Sequence, residues 1–227
     1  IDFLAFNNHL PSIRKKIQEN QSLSQFLERS GLEKDAFLQL VEKLSEREHE
    51  TTKLVEKLAK AARDHSISMA SHDDKTAATR QFYNSLGCYI SEFPLTAEAI
   101  NQAQELGNHI VLGAPNIIRG GSHMGASGLS ATESIKAGKG DIICSDYYYP
   151  ALMQAPFKLV ADKILEFGDS WGMVSKAPAQ AAGLVDRGEI VEGKRADLIL
   201  VEELGPGQLD LKATFVNGRM VFQSGCL

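Results

Sequence analysis

The sequence has little of what marks membrane, secreted or nucleic-acid-binding proteins. No apolar stretch reaches the roughly 18 residues that a membrane-spanning helix needs, and no signal peptide opens the chain. The 227 residues include three cysteines, an odd number that fits buried thiols in a reducing compartment better than a disulfide framework. A net charge of −5 and the lack of a long basic run argue against electrostatic binding of nucleic acid. We therefore expect a cytoplasmic protein that binds neither membrane nor nucleic acid.

The composition is that of a folded protein, with 43% hydrophobic and 23% charged residues. The first residues, IDFLAFN, are apolar and strand-like, and no initiator methionine precedes them. A natural amino terminus rarely begins inside a core strand. We therefore expect a fragment, or a chain whose upstream part is not represented.

Strand-like and helical segments alternate from residue 66 to residue 168. The strand-like segments are SISMASHDD, CYISEFP, NHIVLGAPN and DIICSDYYYP, and IDFLAFN adds a fifth strand at the start of the chain. This alternation predicts parallel strands joined by right-handed crossovers, hence an α/β fold with about five β/α units. Ser22–Gln25 and Ser130–Glu133 have capping-box spacing at the starts of two helices.

A helical insertion near residues 12–65 separates the first strand from the others. Residues 33–63 have apolar side chains near a helical period, which fades around residues 48–52 and predicts a break there. This segment is either an exposed bundle helix or a coiled-coil partner site. After residue 168 the pattern changes to a short helix, an alternating strand and a hairpin around Asn217-Gly218. The predicted domains are 1–168 and 169–227, the second being part of a composite β-sandwich.

Polar residues gather where the predicted strands end, which is where parallel α/β folds place catalytic groups. They are Asn8, His9, His72, Asp73, Asp74, Glu92, Asn116, Arg119 and Asp146. Imidazoles and carboxylates on separate walls of one cavity are what a divalent-metal site requires. Purely structural alternatives remain open. In these, His9 only forms a hydrogen bond, and Asp73, Asp74 or Asp146 caps a helix. His49, His65 and His109 lie away from these ends and are interpreted as structural.

A glycine-rich stretch, GAPNIIRGGSHMGASG, follows the fourth of these strands. Its Arg119-Gly120-Gly121-Ser122 segment lies between a strand and a helix, so backbone N–H groups, a hydroxyl and a guanidinium can converge on an anion. The stretch is neither a P-loop, since GK[ST] is absent, nor a dinucleotide fingerprint. A simple connector is the alternative.

In their order and spacing, SHDD, EFP, LGAPNIIRGGSH and SDYYYPALMQAPF resemble the amidohydrolase superfamily, closest to its diphosphatases of carbon–phosphorus lyase (phosphonate) metabolism. NNHLP resembles the DHTP element of that group, with Asn8 in place of an aspartate. The tail from PAQAAGL to VNGRMVF is similar to the carboxyl-terminal β-domain of amidohydrolases in general. The resemblance covers nearly the whole chain.

This resemblance implies a metal-dependent-hydrolase (β/α)8 barrel of the TIM type, present here only as its carboxyl-terminal portion. It implies one or two divalent ions, such as Zn²⁺ or Mn²⁺, and hydrolysis of a ribose 1-methylphosphonate 5-triphosphate to the 5-phosphate and pyrophosphate. Carried over by motif, the metal ligands are His72, Asp146, His9 and Glu92, with His72 and Asp146 also catalytic. The substrate phosphates would face Asn116, Arg119, Gly120, Gly121, Ser122 and His123.

The sequence also departs from this superfamily. An HxH motif, expected on the first barrel strand, is absent. We therefore expect this chain to be inactive by itself and, with exposed parallel edges, to form homo-oligomers. Two alternatives remain: an amidohydrolase that cleaves a C–N bond of a small cyclic amide or amine, and a metal-free binding or scaffold module built from part of a barrel.

Overall fold

The computed structural model describes residues 2–121, 128–205 and 207–225. Five parallel strands form one sheet in chain order, which confirms the predicted α/β class. These strands are β1 (Phe3–Phe6), β2 (Ser68–His72), β3 (Ile90–Glu92), β4 (His109–Gly113) and β5 (Ile142–Cys144). A separate antiparallel sheet contains β6 (Leu198–Gly205), β7 (Gln208–Val216) and β8 (Arg219–Gln223).

Helices follow each of the five parallel strands. They are α1 (Leu10–Gln18), α2 (Ser24–Ser30), α3 (Lys34–Glu46), α4 (Thr51–Asp64), α5 (Ala77–Ser85), α6 (Ala97–Glu105), α7 (Ala114–Arg119), α8 (Ala131–Lys136), α9 (Pro150–Ala161), α10 (Phe167–Gly172) and α11 (Lys176–Ala181). None of the helices in the described part of the chain is both long and apolar enough to cross a membrane. Helix α10 was not predicted, and the expected domain boundary at residue 168 falls inside it.

Two consecutive strand-helix units repeat with a period of 20 residues. His72 ends β2 and Glu92 ends β3, and the two are paired across the ladder. Thr76 and Thr96 cap the helices that follow, each accepting a hydrogen bond from the backbone N–H three residues later, at 3.1 Å. The repetition brings the last residue of each strand to the same level of the sheet.

The sheet buries both of its faces. On one face, Ile110, Leu112 and Ile143 pack into the main core with residues of α6 to α9. On the other, a layer formed by Ala70, Ile90, Val111 and Ile142 contacts Ala177 and Ala181 of α11. Burial on both faces explains why these strands are continuously apolar.

The helical insertion comprises α1 to α4, broken at the predicted place by a 3₁₀ turn, Glu48–Glu50. Ala59 and Ala62 of α4 pack on Phe6 and Met69 of the sheet. Helices α2 and α3 are joined by the stacked rings of Phe26 and Phe37, with centroids 6.4 Å apart. The capping box at Ser22 is wrong, because Leu23 occupies the cap position without a side-chain bond. Ser130, in contrast, caps α8 as predicted.

The predicted hairpin joins β7 to β8. Asn217 and Gly218 both adopt left-handed backbone angles, with φ of 51° and 75°. A two-residue turn with both central residues at positive φ matches the right-handed twist of its strands, which is why Asn-Gly suits it.

Candidate active site

A cavity of about 350 Å³ opens at the carboxyl ends of the parallel strands. Its lining includes His9, His72, Asp73, Asn116, Arg119 and Asp146, which the sequence placed at strand ends, together with Arg29 and Tyr147. Glu92 does not line the cavity, although it lies beside His72 in the ladder. Parallel strands end at one edge of a sheet, and this geometry gathers residues that are far apart in sequence.

At this rim, the side chain of His72 lies beside two aromatic rings and one carboxyl group. Its ring lies edge-on to Phe93, at 5.3 Å between centroids, and to His9, at 6.1 Å. Its Nδ1 atom is 3.1 Å from Asp73 Oδ1, an ion-pair distance, but without the alignment of a hydrogen bond. The close approach of Asp73 raises the pKa of His72 against the opposing effect of burial, and the charges of Glu92 and Asp146 act in the same direction as Asp73. A buried imidazole nitrogen without a hydrogen-bond partner among the described residues is a candidate to contact a ligand.

Glu92 is half-buried, and burial raises the pKa of its carboxyl group. The negative charges of Asp73 and Asp146 raise it further, while His72 lowers it. The rim thus brings three carboxyl groups and one imidazole within electrostatic reach of each other. Such a cluster attracts cations.

Three residues of this rim have left-handed backbone angles although none is glycine. Asp73 (φ 61°) directly follows β2, Phe93 (φ 51°) directly follows β3, and Asp146 (φ 50°) lies two residues after β5. Asp73 and Phe93 each donate their N–H to the neighbouring strand, to the carbonyls of Glu92 and Val111, both at 3.0 Å. The turns after β2 and β3 are therefore fixed by hydrogen bonds to the neighbouring strand.

Arg119 ends α7, and its Nη1 atom donates a hydrogen bond to the hydroxyl of Tyr147 at 3.1 Å. The bond joins the segment after β4 to the one after β5.

Helix α7 ends because Gly120 adopts a left-handed conformation with φ of 80°. Gly120 and Gly121 follow Arg119 but are not among the residues that line the cavity, and Ser122 and His123 lie outside the described residues. The sequence predicted a strand through Asn116, but β4 ends at Gly113 because Pro115 starts a helix there.

Asn116 lines the cavity, yet its amide is engaged with the backbone. Its Nδ2 atom donates to the carbonyl of Leu129 at 2.8 Å, and its Oδ1 atom accepts from the N–H of Ala131 at 3.0 Å. These bonds tie α7 to the start of α8. Asn116 therefore holds the two ends of the glycine-rich stretch together.

Sequence reasoning missed a buried network next to the cavity. Arg80 and Asp74 are both almost fully buried, and Arg80 Nη1 lies 3.1 Å from Asp74 Oδ2. Ser71 donates to the same Asp74 oxygen at 2.6 Å and accepts from Arg80 at 2.8 Å. The prediction that Asp73 or Asp74 caps the next helix is wrong, since Thr76 caps α5. The sequence contained one indication that Arg80 is buried. Arg80 lies three residues after Ala77 and three residues before Tyr83, and this spacing places it on the apolar side of α5.

The comparisons with known proteins agree with this architecture. No family model matches the chain. Over 147 residues, 64% of the chain, it is 44% identical to the α-D-ribose 1-methylphosphonate 5-triphosphate diphosphatase of Escherichia coli strain K12 and spans 38% of that enzyme. An amidohydrolase from Thermotoga maritima superposes with a TM-score of 0.56 and 17% identity, covering 97% of this chain and 62% of that one. An enamidase of the amidohydrolase superfamily superposes with a TM-score of 0.59 and 13% identity, covering 76% and 52%.

The chain has the amidohydrolase fold. The sequence resemblance to the phosphonate-metabolism diphosphatases is likewise confirmed. Five strands and their helices correspond to part of such a barrel, and the chain spans well under half the length of the diphosphatase that it matches. In barrels of this kind the active site lies at the carboxyl ends of the strands, which is where the cavity opens.

The sequence resemblance to the amidohydrolase superfamily implies a divalent-metal site, so the described residues can be compared with the needs of such a site. They meet those needs only in part. The Nδ1 atom of His72 is buried and makes no aligned hydrogen bond among the described residues, and carboxyl groups surround it. Within residues 2–121, 128–205 and 207–225, however, no three His, Cys, Asp or Glu side chains converge closely enough to hold an ion. These residues therefore do not form a complete metal site.

Proposed function

We propose that this chain is part of a metal-dependent hydrolase of phosphonate metabolism. The proposed reaction splits ribose 1-methylphosphonate 5-triphosphate, with one water molecule, into the 5-phosphate and pyrophosphate. One observation carries the proposal: a guanidinium, Arg119, and a carboxylate, Asp146, line the same cavity at the strand ends. The 44% identity to a diphosphatase named for this substrate supports it.

The proposed roles follow from the chemistry of each group. Arg119 binds phosphate oxygens, because a guanidinium presents parallel N–H donors to an oxyanion. Tyr147 orients Arg119 through their hydrogen bond, and Gly120 and Gly121 allow close approach of the backbone. Asp146 takes the proton of the attacking water as the bond between phosphorus and the bridging oxygen breaks. Ser122 and His123 are proposed as further phosphate contacts.

His72, Asp146, His9 and Glu92 are proposed as the part of the metal ligand set that this chain supplies. Since no three of the described side chains converge, we derive no catalytic step through an ion.

The function is tested by measuring pyrophosphate release from ribose 1-methylphosphonate 5-triphosphate by the full-length enzyme that carries this segment. Asp146→Asn in that enzyme should abolish release while preserving the folded state. Release of ammonia from a cyclic amine or amide, without any release of pyrophosphate, would instead identify a C–N hydrolase and reject the proposal.

A further inference from the structure

We propose that Arg29 is a second anion-binding residue of the cavity, and that Arg29 and Arg119 together select ligands with more than one anionic group. The proposal rests on the proposed function only in taking the substrate phosphates as these groups. Nothing in the strand-end pattern points to Arg29, which lies in the helical insertion. It would give that insertion a role in specificity.

Arg29 lines the same cavity as Arg119, His72 and Asp146. It belongs to the last turn of α2, whereas Arg119 ends α7, so the two guanidinium groups come from separate walls. A ligand with two anionic groups can engage both walls at once. A ligand with a single anionic group gains much less from the second wall.

Arg29 also differs from two other arginines of the insertion, Arg14 and Arg47. Arg14 forms an ion pair with Glu48 at 2.5 Å, and Arg47 forms one with Glu50 at 2.8 Å. Arg29 has no carboxylate partner within the described part of the chain. Its charge is therefore available to a ligand.

The position of Arg29 is set by packing. One turn before it, Phe26 stacks on Phe37, and the ammonium group of Lys16 lies 5.2 Å from the centre of the Phe26 ring. Gly31 then ends α2 with a left-handed φ of 64°. Arg29 itself is an exposed side chain in the last turn of this short helix, which these contacts hold in place.

Two carboxylates, Asp73 and Asp146, also line the cavity. An anionic ligand is repelled by both, so its binding requires cations that reach it from other directions. Arg29 and Arg119 are the two arginines among the described lining residues. Guanidinium groups contact oxyanions through charge-assisted hydrogen bonds, each worth about tenfold in affinity or more.

The test measures binding of inorganic tripolyphosphate and of orthophosphate to the whole chain by calorimetry, at constant ionic strength. Arg29→Gln should weaken tripolyphosphate binding about tenfold and orthophosphate binding by less than about twofold. Arg29→Lys, which keeps the charge, should lose less. Lys34→Gln serves as the matched control, because Lys34 is an exposed cation of the same insertion that does not line the cavity.

Unchanged tripolyphosphate binding in Arg29→Gln would overturn the proposal. So would an equal loss for both anions, or an equal loss in Lys34→Gln, since either result indicates a general effect of charge. The result for Arg29 can be distinguished from the result for the proposed function. If Arg29 governs tripolyphosphate binding but the full-length enzyme releases no pyrophosphate, the second anion contact stands and the proposed reaction fails.

Discussion

At the scale of single residues, three of the seven non-glycine residues with left-handed backbone angles in the described chain lie at the rim of the cavity. Asp73, Phe93 and Asp146 all adopt left-handed angles that side chains other than glycine rarely accept. Such conformations cost on the order of 1–3 kcal/mol each and persist where the surrounding structure imposes them. Phe93 is the most informative, because an aromatic side chain gains nothing locally from this conformation and its ring packs against His72. The rim therefore holds His72 in place at the expense of local stability.

At this scale we predict the effect of removing Arg119. Arg119→Ala in the full-length enzyme should raise KM for the proposed triphosphate substrate, because the proposed role of the guanidinium is to bind phosphate oxygens, and should leave metal content unchanged. Tyr147→Phe should raise KM less, because it removes only the hydroxyl that orients Arg119 at 3.1 Å. Steady-state kinetics and elemental analysis check both variants. Unaltered kinetics in Arg119→Ala would identify the glycine-rich stretch as a mere connector.

The sequence predicted most of the polar lining residues because the strand ends are visible in it. His72, Asn116 and Asp146 each follow an apolar segment, and parallel pairing brings such positions together. Arg29 was missed because its contact with the cavity depends on how α2 packs, and this leaves no local pattern. The engagement of the Asn116 amide with Leu129 and Ala131 was equally invisible, since it joins backbone groups 13 and 15 residues away.

At the scale of elements, helix α5 is fastened to the sheet by a buried ion pair. Arg80 lies on α5, and Asp74 lies in the turn after β2, two residues from His72. Arg80 also donates to the carbonyls of Ile90 and Cys88 around β3. The pair therefore fixes one helix and two strands beneath the cavity.

Removing one partner of the Arg80–Asp74 pair should lower the stability of the protein more than replacing both partners. Arg80→Met or Asp74→Leu alone should lower the free energy of unfolding by about 3–5 kcal/mol, because each leaves an uncompensated buried charge. The double variant should lose less than the sum of the two. Urea denaturation of the four proteins gives the coupling. Strictly additive losses would show that the two side chains act independently.

A second ion pair joins two elements at the opposite end of the sheet and predicts a pH dependence. His109 Nδ1 on β4 lies 2.5 Å from Asp141 Oδ2, just before β5, and this hydrogen bond raises the pKa of His109 against the opposing effect of partial burial. A folded-state pKa above the unfolded value of about 6.5 stabilises the protein below that pH, and the stabilisation is lost as pH rises through the folded-state pKa.

The difference in unfolding free energy between the wild type and His109→Gln should therefore be largest below about pH 6.5, the unfolded-state pKa, and shrink as the pH rises through the higher folded-state pKa. Urea denaturation at a series of pH values measures it. His65→Gln is the control, because His65 is exposed and follows α4 away from this pair. A difference that grows with pH would contradict the assignment.

The elements themselves were largely predictable, and the exceptions have identifiable causes. The five β/α units, the break at residues 48–50 and the turn at Asn217-Gly218 follow from periodicity and turn chemistry, which act over a few residues. Helix α10 was missed because its residues carry two glycines, and it is held by aromatic packing of Phe167 and Trp171 on Phe157. Tertiary contacts decide such segments more than propensity does.

The whole molecule exposes more surface to solvent than a compact monomer of the same mass. Its accessible surface is 13970 Å², whereas a compact monomer of 24.8 kDa exposes about 10,200 Å² by the usual scaling. Part of the excess is apolar, including Val221 and Phe222 of β8, which are 57% and 47% exposed. Strands β1 and β5 each have one neighbour in the described sheet. Surfaces of this kind promote association.

We therefore predict that the chain associates with itself in a concentration-dependent manner. Sedimentation at tens of micromolar should show species larger than 24.8 kDa. Phe222→Ser should reduce association, whereas Leu54→Ser, at a comparably exposed position on α4, should change it less. A single species at the monomer mass over the whole concentration range would contradict the prediction.

The order of the strands has a consequence for hydrogen exchange. In the parallel sheet, each strand is hydrogen-bonded only to the strands that come directly before and after it along the chain. Strands β1 and β5 therefore have one neighbour each, so local opening should start there and reach β3 last. Glu92 then lies on the most protected strand, while His9 and Asp146 follow the two least protected ones. Amides beside His9 and Asp146 should consequently gain the most protection when a ligand fills the cavity.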